Sequence, residues 1–527
     1  MAVYFGFVLG IGFALKKQIR TSEDFFLSGR SIPSWITGLA FMSANLGAIE
    51  VMGMAGNGAK YGIMTAHFYW VGAVPAMLFL AIFMMPFYYG SRIKSVPEYL
   101  KLRFNEPTRA FNAISFAIMT ILMSGINMYA MALVFHLLLN WNMDASICIS
   151  AVVVLAYTAL GGLTSSIYNE VLQFFLIVLG LLPLTFLALT DVGGWSGLVA
   201  RLPGDFSHLW ANTATAANPM GADWICILSG LGFVLSFGYW CTDFLAIQRA
   251  LAAESLPAAQ RTPVIAALPE IFFPALTVLP GMCALALIPN LGDMTDPKLR
   301  YDMALPLLMA KYYPSGMLGI GLTAMLASFM AGMAGNITAF NTVFTYDIYK
   351  NYFRKTQTDE HYIAVGRLAT GGGIFVSIFT AYTVMRAESI MDYMQSIFSF
   401  FNAPLFATFL LGMFWKRTTP WGAFFGLLSG TLSAATHFVL TEKHLLNYVS
   451  PMAANFWQAT IAWCVCFVVT VLLSFFTKAR PEVELDGLVW GTAKPVLQDI
   501  TLAWYKKPAL IASAIMLITL ILDLLFW

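Results

Sequence analysis

The sequence predicts an all-α polytopic membrane protein with about 14 transmembrane helices. Of its 527 residues, 59% are hydrophobic and only 11% are charged, and the mean hydropathy is +0.74. A soluble chain carries about a quarter of its residues as charged side chains, because water must wet its surface. The missing charge therefore indicates a surface that faces lipid. The net charge of +2 gives no basic stripe and no reason to expect a nucleic-acid partner.

Apolar segments of the length that crosses a bilayer recur along the chain. Roughly 20 apolar residues in a helix span the hydrocarbon core. We assign such segments to residues 2–15, 34–57, 63–90, 109–139, 144–164, 167–190, 222–246, 262–289, 311–346, 362–386, 389–414, 419–440, 452–477 and 503–526. No small-residue cleavage site follows the first segment, so we interpret it as a short membrane helix and leave open whether the N terminus is complete.

The distribution of lysine and arginine gives an independent test of this assignment. These residues concentrate in alternate loops, for example Lys101 and Lys355, and are sparse in the loops between, which contain Arg201 and Lys443. Cytoplasmic loops carry the excess of Lys and Arg. We therefore expect an integral protein of the plasma (inner) membrane, with an even number of spans and both termini outside.

The span 34–57 has a polar interruption near its middle. Ser43, Asn45, Gly47 and then Glu50 stand where a lipid-facing helix would carry Leu or Val. Gly and Asn favour local unwinding, and unwound backbone inside a membrane is tolerated only where it lines a cavity or binds an ion. Close helix packing through small residues is the alternative explanation.

A second interruption is predicted in the span 222–246, at Ser229-Gly230, Gly232, Ser236 and Gly238. The two interrupted spans open two successive groups of five helices, a pattern typical of inverted-repeat transporters with a site at the bilayer midplane. We therefore predict four regions: an extra helix and inner loop (1–33), a first repeat with its outer loop (34–221), a second repeat (222–414) and extra C-terminal helices (415–527).

Ionisable residues inside the spans mark candidate functional positions, because burying a charge in a membrane is costly. Glu50 is the strongest candidate, since it lies near mid-depth beside the first interruption. Glu270, Asp243 and Glu170 are the other acidic candidates. The segment 327–336 adds small residues at four-residue spacing, which predicts either close packing or an ion site shared with the first interrupted helix.

Short motifs occur in order along most of the chain. They are residues 21–30 (TSEDFFLSGR), 43–45 (SAN), 95–100 (SVPEYL), 157–163 (YTALGGL), 248–251 (QRAL), 345–349 (TYDIY) and 412–419 (GMFWKRTT). In this ordered set the chain resembles the solute:sodium symporter family, which includes the sodium/glucose cotransporters. The resemblance implies a five-plus-five inverted repeat that works by alternating access and is driven by sodium.

The resemblance also implies a sodium site between the first interrupted helix and the segment 327–336. The matching positions are the backbone carbonyls of Ser43 and Leu46, together with Ser328, Ala331 and Gly332. The family usually has hydroxyl residues at the last two positions, and this chain has none, which weakens the site unless other oxygens substitute. Glu170 resembles the family's acidic residue on the inner sodium path and could contribute to a second ion site with Ser328.

The predicted solute site departs from the sugar site of the family in its polar residues. It comprises Asn45, Glu50, Phe68, Tyr69, Ser236, Tyr239, Trp240, Glu270 and Ser396. Glu50 replaces a neutral amide, Tyr69 a carboxylate, and Glu270 the lysine of a bacterial relative, whereas Tyr239 matches the aromatic that closes the site. Two carboxylates without a lysine would repel an anion, so we expect a small neutral or zwitterionic solute, with a sugar favoured.

Other function classes are weighed against sodium-coupled symport. A proton-coupled symporter is one alternative, because Glu50 could carry the proton. A transport-deficient sensor or channel-like member is the other, and the missing hydroxyls at the sodium site favour it. An enzyme is not expected, since the chain has no GxSxG, HExxH or Walker A motif. The expected partners are a small solute, sodium and the lipid bilayer, and the sequence does not indicate the oligomeric state.

Overall fold

The computed structural model describes residues 2–16, 21–293, 295, 299–385, 389–492 and 507–527. Across these residues the secondary structure is helical, and the one β-type contact is an isolated bridge between Ile32 and Ala253. Helices dominate because a membrane offers no water to backbone amides, so each segment must satisfy its own hydrogen bonds.

The principal helices are labelled in chain order. They are α1 (Ala2–Lys16), α2 (Ser34–Asn45), α3 (Ile49–Ala66), α4 (Phe68–Gly90), α5 (Glu106–Leu139), α6 (Met143–Val192), α7 (Cys226–Thr242), α8 (Phe244–Leu251), α9 (Leu256–Glu270), α10 (Phe273–Leu287), α11 (Ser315–Tyr352), α12 (Asp359–Val384), α13 (Ile390–Phe414), α14 (Pro420–Glu442), α15 (Pro451–Phe476) and α16 (Pro508–Leu525). Shorter helices between them include Ser22–Leu27, Val96–Arg103 and Ala304–Tyr312.

The lengths of these helices support nine to twelve membrane spans among the described residues. Nine are long and apolar enough alone, and three bent pairs raise the total to twelve. Two further predicted segments coincide with the shorter apolar helices Val3–Leu15 and Met143–Leu155. The count of fourteen and the inverted repeat therefore stay predictions.

Helix α6 joins two segments that were predicted as separate spans. The junction is a kink at Gly162, whose φ is +56°. Residues with a Cβ rarely adopt this conformation, and a Cβ here would lie 2.6 Å from the carbonyl oxygen of Phe25. Glycine thus allows both the turn and close contact with the helix Ser22–Leu27.

The predicted first interruption is present in the structure. Helix α2 ends at Asn45, α3 begins at Ile49, and the two are bent by 62°. Gly47 lies in the break, and a Cβ on it would be only 2.5 Å from Oδ1 of Asn127 and 3.2 Å from Cα of Gly332. Both explanations for the small residues, local unwinding and close helix packing, therefore apply: the backbone unwinds at the break, and α11 packs closely against it.

The second predicted span is also interrupted, but its bend lies after the predicted residues. Ser229, Gly230 and Gly232 lie in a π-helical stretch, Cys226–Leu235, that departs from α-helical hydrogen bonding without a bend. The break, with a bend of 46°, falls between α7 and α8 at Asp243, whose side chain accepts a hydrogen bond from the Leu245 amide at 2.8 Å. The glycines and serines from Ser229 to Gly238 lie within α7. They permit packing instead: a Cβ on Gly230 would meet the Phe456 carbonyl oxygen at 2.6 Å, and one on Gly238 would meet that of Asn402 at 3.0 Å.

A third bent pair, α9 and α10, was not predicted from the sequence. Its bend of 47° follows Glu270. Pro269 and Pro274 flank this position, and proline removes backbone donors and disfavours helix at the preceding residue. The break brings the end of α9, with Glu270, to the interior of the protein, where Glu270 is 2% exposed.

Loops that were predicted to share one side of the membrane contact one another. On the predicted inner side, Arg30 donates to the Ile93 carbonyl at 2.8 Å and Arg480 to the Leu102 carbonyl at 2.7 Å. On the predicted outer side, the amide of Leu209 donates to the carbonyl of Phe526 at 2.8 Å. These contacts support the grouping of the loops, while the assignment of the two groups to inside and outside stays a prediction.

Candidate functional site

A central cavity lies among α2, α3, α4, α5, α7, α8, α9, α11 and α13. It is lined by all of the predicted solute-site residues except Ser396, namely Asn45, Glu50, Phe68, Tyr69, Ser236, Tyr239, Trp240 and Glu270. The breaks after Asn45, before Asp243 and after Glu270 all adjoin it. Because helix breaks leave backbone groups without helical partners, their convergence on one cavity marks it as the candidate site.

Helix α13 contributes a different face from the one predicted. Met391, Met394, Gln395 and Phe398 line the cavity, and this spacing of three and four residues defines one helix face. Ser396 is not in the lining, and its carbonyl accepts a hydrogen bond from Ser399 at 2.6 Å. Ser396 was predicted because it is polar, but Gln395 is the polar residue that lies on the same helix face as Met391, Met394 and Phe398.

The aromatic wall of the cavity is held in place by a polar contact. The Tyr239 hydroxyl donates a short hydrogen bond to Oδ1 of Asn45, and the Asn45 amide donates to the Phe41 carbonyl at 2.6 Å. The Tyr239 ring stacks on Phe398 at a centroid distance of 4.9 Å and meets Trp240 edge-on at 5.1 Å. Asn45 thus orients Tyr239, and the rings present apolar surface to an occupant.

Two carboxyl groups face the same cavity. Oε1 of Glu50 and Oε2 of Glu270 are buried and have no hydrogen-bond partner. The Tyr69 hydroxyl lies beside the Glu50 carboxyl and shares a hydrogen bond of 2.8 Å with the hydroxyl of Thr277. In the part of the chain that the structure describes, no lysine, arginine or histidine lines this cavity. The site is therefore rich in hydrogen-bond acceptors and, among the described residues, has no basic side chain.

The predicted sodium-site residues meet where α11 packs against the first break. The Ser328 hydroxyl donates to the Leu46 carbonyl at 2.5 Å, and Oγ of Ser43 is buried without a partner. Hydroxyl and carbonyl oxygens are ligands suited to hard cations. Within the described residues, no group of three or more His, Cys, Asp and Glu could hold a metal ion.

Ala331 and Gly332 have no ligating side chain, but their small size lets α11 pack closely against the first break. Gly332 lies so near the break that a Cβ on it would be 2.8 Å from Cα of Gly47, and Ala331 is fully buried. The Gly332 carbonyl accepts a hydrogen bond from the Asn336 amide at 2.9 Å. Asn127, which sequence reasoning missed, accepts from the Ala48 amide at 2.8 Å. The sequence did contain a signal for Asn127, since it is a polar residue in the middle of the predicted span 109–139.

Glu170 is engaged in an ion pair away from this cluster. Its Oε1 accepts from Arg249 at 2.5 Å and from the Ser166 hydroxyl at 2.7 Å, and its Oε2 is 3.3 Å from Nε of Arg249. Both side chains are buried. The structure thus gives Glu170 a cationic partner from the protein itself, and its predicted role as a sodium ligand would require that pair to open.

Helices broken around a central cavity, in a chain with many apolar spans, are typical of membrane transport proteins. A family model described as the sodium:solute symporter family matches residues 25–430. The chain belongs to this family.

Curated relatives carry names of sugar and polyol transporters. The chain is 29% identical to a sodium/glucose cotransporter 4 of Mus musculus, over 95% of this chain and 78% of the relative. It is also 29% identical to a sodium/glucose cotransporter of Vibrio parahaemolyticus, over 81% and 82% of the two chains. A sodium/myo-inositol cotransporter 2 of Homo sapiens is 28% identical, over 94% and 79%.

Solved structures support the fold. A Na⁺-coupled sialic acid symporter in a substrate-bound outward-open state aligns with a TM-score of 0.73 at 19% identity, over 90% of this chain and 97% of the other. A nucleobase-cation-symport-1 family transporter aligns with a TM-score of 0.53 at 12% identity, over 88% and 97%. At these identities the likeness concerns the fold alone.

Proposed function

We propose that this protein is a sodium-coupled symporter that carries a small neutral or zwitterionic solute by alternating access. The observation that carries the proposal is the contact of Ser328 with the Leu46 carbonyl at the first break. It places a hydroxyl, an unwound carbonyl and the unpartnered hydroxyl of Ser43 next to the central cavity. A cation bound among these oxygens would tie α11 to the helix that lines the solute site, which couples the two occupants.

A sugar or a cyclic polyol is the favoured solute. The relatives are named for glucose and myo-inositol, and stacked aromatic rings such as Tyr239 and Phe398 offer a flat surface to a ring of similar size. Unpartnered carboxyl oxygens accept hydrogen bonds from hydroxyl groups. An anionic solute would meet Glu50 and Glu270 without a compensating cation.

Uptake into proteoliposomes tests the proposal directly. Radiolabelled D-glucose and myo-inositol would be offered under an inward sodium gradient, and under a matching potassium gradient as the control. We expect accumulation with sodium and only equilibration with potassium. The proposal would be contradicted if uptake were equal with sodium and with potassium. If accumulation then followed a proton gradient, the coupling ion would be the proton.

Removal of one hydroxyl tests the sodium site. Ser328→Ala deletes one of the candidate ligand oxygens, so we expect about a tenfold loss of apparent sodium affinity, comparable to the loss of one hydrogen bond to a charged partner. The matched control is Ser124→Ala, because Ser124 is also fully buried but bonds only within its own helix. Similar sodium affinity in the two variants would place the ion elsewhere.

The topology and the four regions belong to the same proposal. We infer both termini outside, two repeats at 34–221 and 222–414, and extra helices at 1–33 and 415–527. Membrane-impermeant thiol reagents should reach single cysteines placed at Lys101 and Lys355 only from the cytoplasmic side, and at Arg201 and Lys443 only from outside. The opposite labelling would invert the assignment.

A further inference from the structure

The unpartnered polar atoms of the central cavity are all acceptors. Among the buried side-chain atoms without a partner, those in the cavity lining are Oε1 of Glu50, Oε2 of Glu270 and Oε1 of Gln395. Glu270 is 2% exposed and Gln395 is 4% exposed. Because buried polar groups are normally satisfied, these three oxygens mark the part of the lining that can accept hydrogen bonds from an occupant.

The charge of the cavity is also unbalanced. Glu50 and Glu270 are close enough to repel each other electrostatically, and Tyr69 lies near both. Tyr239 and Asp243 are the other titratable groups in the lining, and they bring no positive charge. Arg249 is near Tyr239, but its guanidinium is paired with Glu170. The described chain therefore supplies no cation to the two carboxyls.

Two buried carboxylates without a cation are too costly to persist. Neighbouring carboxyls in a shared site cannot both ionise unless a positive charge lies between them, and transferring even one ionised group from water to a buried site is strongly unfavourable. A neutral solute such as a sugar can donate hydrogen bonds to the oxygens but cannot neutralise the pair. Something else must bring the positive charge whenever the cavity is closed.

We propose that Glu50 and Glu270, with Gln395, form a second cation site inside the solute cavity, which takes up one positive charge in each transport cycle. The charge arrives as a protonated amine on the solute, as a proton, or as a second alkali ion. This inference rests on the proposed function for the transport cycle, and it is independent of the sodium site at Ser328. If an amine of the solute supplies the positive charge, the solute is cationic or zwitterionic.

The decisive measurement is the unfolding temperature of the purified protein in lipid nanodiscs. The double variant Glu50→Gln/Glu270→Gln keeps the shape of the site and removes both charges. The probes are protons, sodium against a sodium-free buffer of low ionic strength, and D-glucosamine against D-glucose, which differ in an ammonium group that replaces one hydroxyl. We expect the wild type to be stabilised by at least one of these positive charges and the double variant to lose that stabilisation. The control is Glu254→Gln, since Glu254 is exposed.

Labelling with a hydrophobic carbodiimide then identifies the source of the charge. This reagent modifies protonated carboxyls in apolar surroundings, so mass spectrometry should find Glu50 or Glu270 modified in the sodium-free buffer and Glu254 unmodified. Protection by D-glucosamine but not D-glucose indicates the amine, protection by sodium indicates the alkali ion, and labelling that only alkaline pH prevents indicates the proton. A double variant that keeps the full response of the wild type to every probe overturns the proposal, whether or not sodium drives uptake.

Discussion

The inner and outer ends of the protein are each closed by ion pairs, and the pairs at the two ends differ in burial. At the end predicted to face inward, Arg249 pairs with Glu170 at 2.5 Å and Arg109 pairs with Asp347 at 3.0 Å. At the end predicted to face outward, Lys60 on α3 pairs with Asp392 on α13 at 2.8 Å. The inner pairs are almost completely buried, whereas Lys60 keeps 18% of its side-chain surface exposed.

Backbone contacts increase this difference. At the inner end the Ile32 amide donates to the Ala252 carbonyl at 3.1 Å, and the Glu254 amide donates to the Ile32 carbonyl at 3.0 Å. These bonds join the segment before α2 to the segment after α8, which are the inner ends of the two interrupted predicted spans. Both broken helices are therefore linked directly where they leave the membrane.

The outer end contains a carboxyl group with one unsatisfied oxygen, as the inner end does at Oδ2 of Asp347. Asp302, in the short helix Tyr301–Met303, accepts from the Ile390 amide at 3.1 Å through Oδ2, but its Oδ1 is buried without a partner. It packs against Gly56 of α3, where a Cβ would approach Oδ1 to 2.8 Å. The outer ion pair is thus more exposed to solvent than the inner pairs, and we expect the outer end to open at a lower free energy than the inner end.

Breaking the inner ion pair should have the largest effect. Arg249→Met leaves Glu170 buried and uncompensated, which costs about 3–5 kcal/mol, so the unfolding temperature should fall sharply. Arg354→Met is the control, since Arg354 is exposed. The double variant Arg249→Met/Glu170→Gln removes the orphaned charge and should recover part of the loss. No recovery would mean that Arg249 acts mainly through its bonds to the Leu245 carbonyl and to Gln248.

Breaking the outer ion pair should have a smaller effect on stability and a clear effect on access. Lys60→Met removes a charge-assisted hydrogen bond worth about 1.5–3 kcal/mol, and part of that is screened because Lys60 is partly exposed. We expect a modest fall in unfolding temperature and faster thiol labelling of a cysteine at Ser236 from outside. An equal loss in Lys60→Met and Arg249→Met would remove the distinction between the two ends.

The sequence predicted helices better than it predicted where they break. Apolar length placed the spans, since each of the helices α1 to α16 overlaps a predicted segment. Glycine and serine content located the first break but misplaced the second, because small residues also serve packing, as Gly230 does against Phe456. The break after Glu270 was missed, although Pro269 and Pro274 flank it. Small residues alone cannot separate unwinding from close contact.

The lining of the cavity could be predicted only in part. Glu50 and Glu270 stood out because a carboxyl inside a span is expensive, and the structure brings them to one cavity. Gln395 was missed in favour of Ser396, because choosing the face of α13 requires knowing which neighbour it meets. The partner of Glu170 was also hidden, since Arg249 is distant in sequence and pairing across helices depends on packing.

The smallest expected effect concerns pH at the outer end. Burial, reinforced by the nearby charge of Asp392 and opposed by the Ile390 amide, Arg300 and Lys60, raises the pKa of Asp302 from 3.8 to about 7. The folded protein therefore binds a proton more tightly than the unfolded chain does. By linkage, the contribution of Asp302 is fully present below pH 3.8 and is lost as the pH rises towards about 7.

Asp302→Asn isolates this contribution, because asparagine keeps an acceptor for the Ile390 amide and cannot ionise. We expect the unfolding temperature of the wild type to decline more steeply than that of the variant as the pH rises from 3.8 to about 7, and the two curves to converge at the acid end. Asp293→Asn is the control, since Asp293 lies in the same loop, is exposed, and has a pKa lowered by its hydrogen bonds with Thr295. Parallel curves for the wild type and Asp302→Asn would show that the outer end is not held by a protonated carboxyl, and that its weaker closure rests on Lys60 and Asp392.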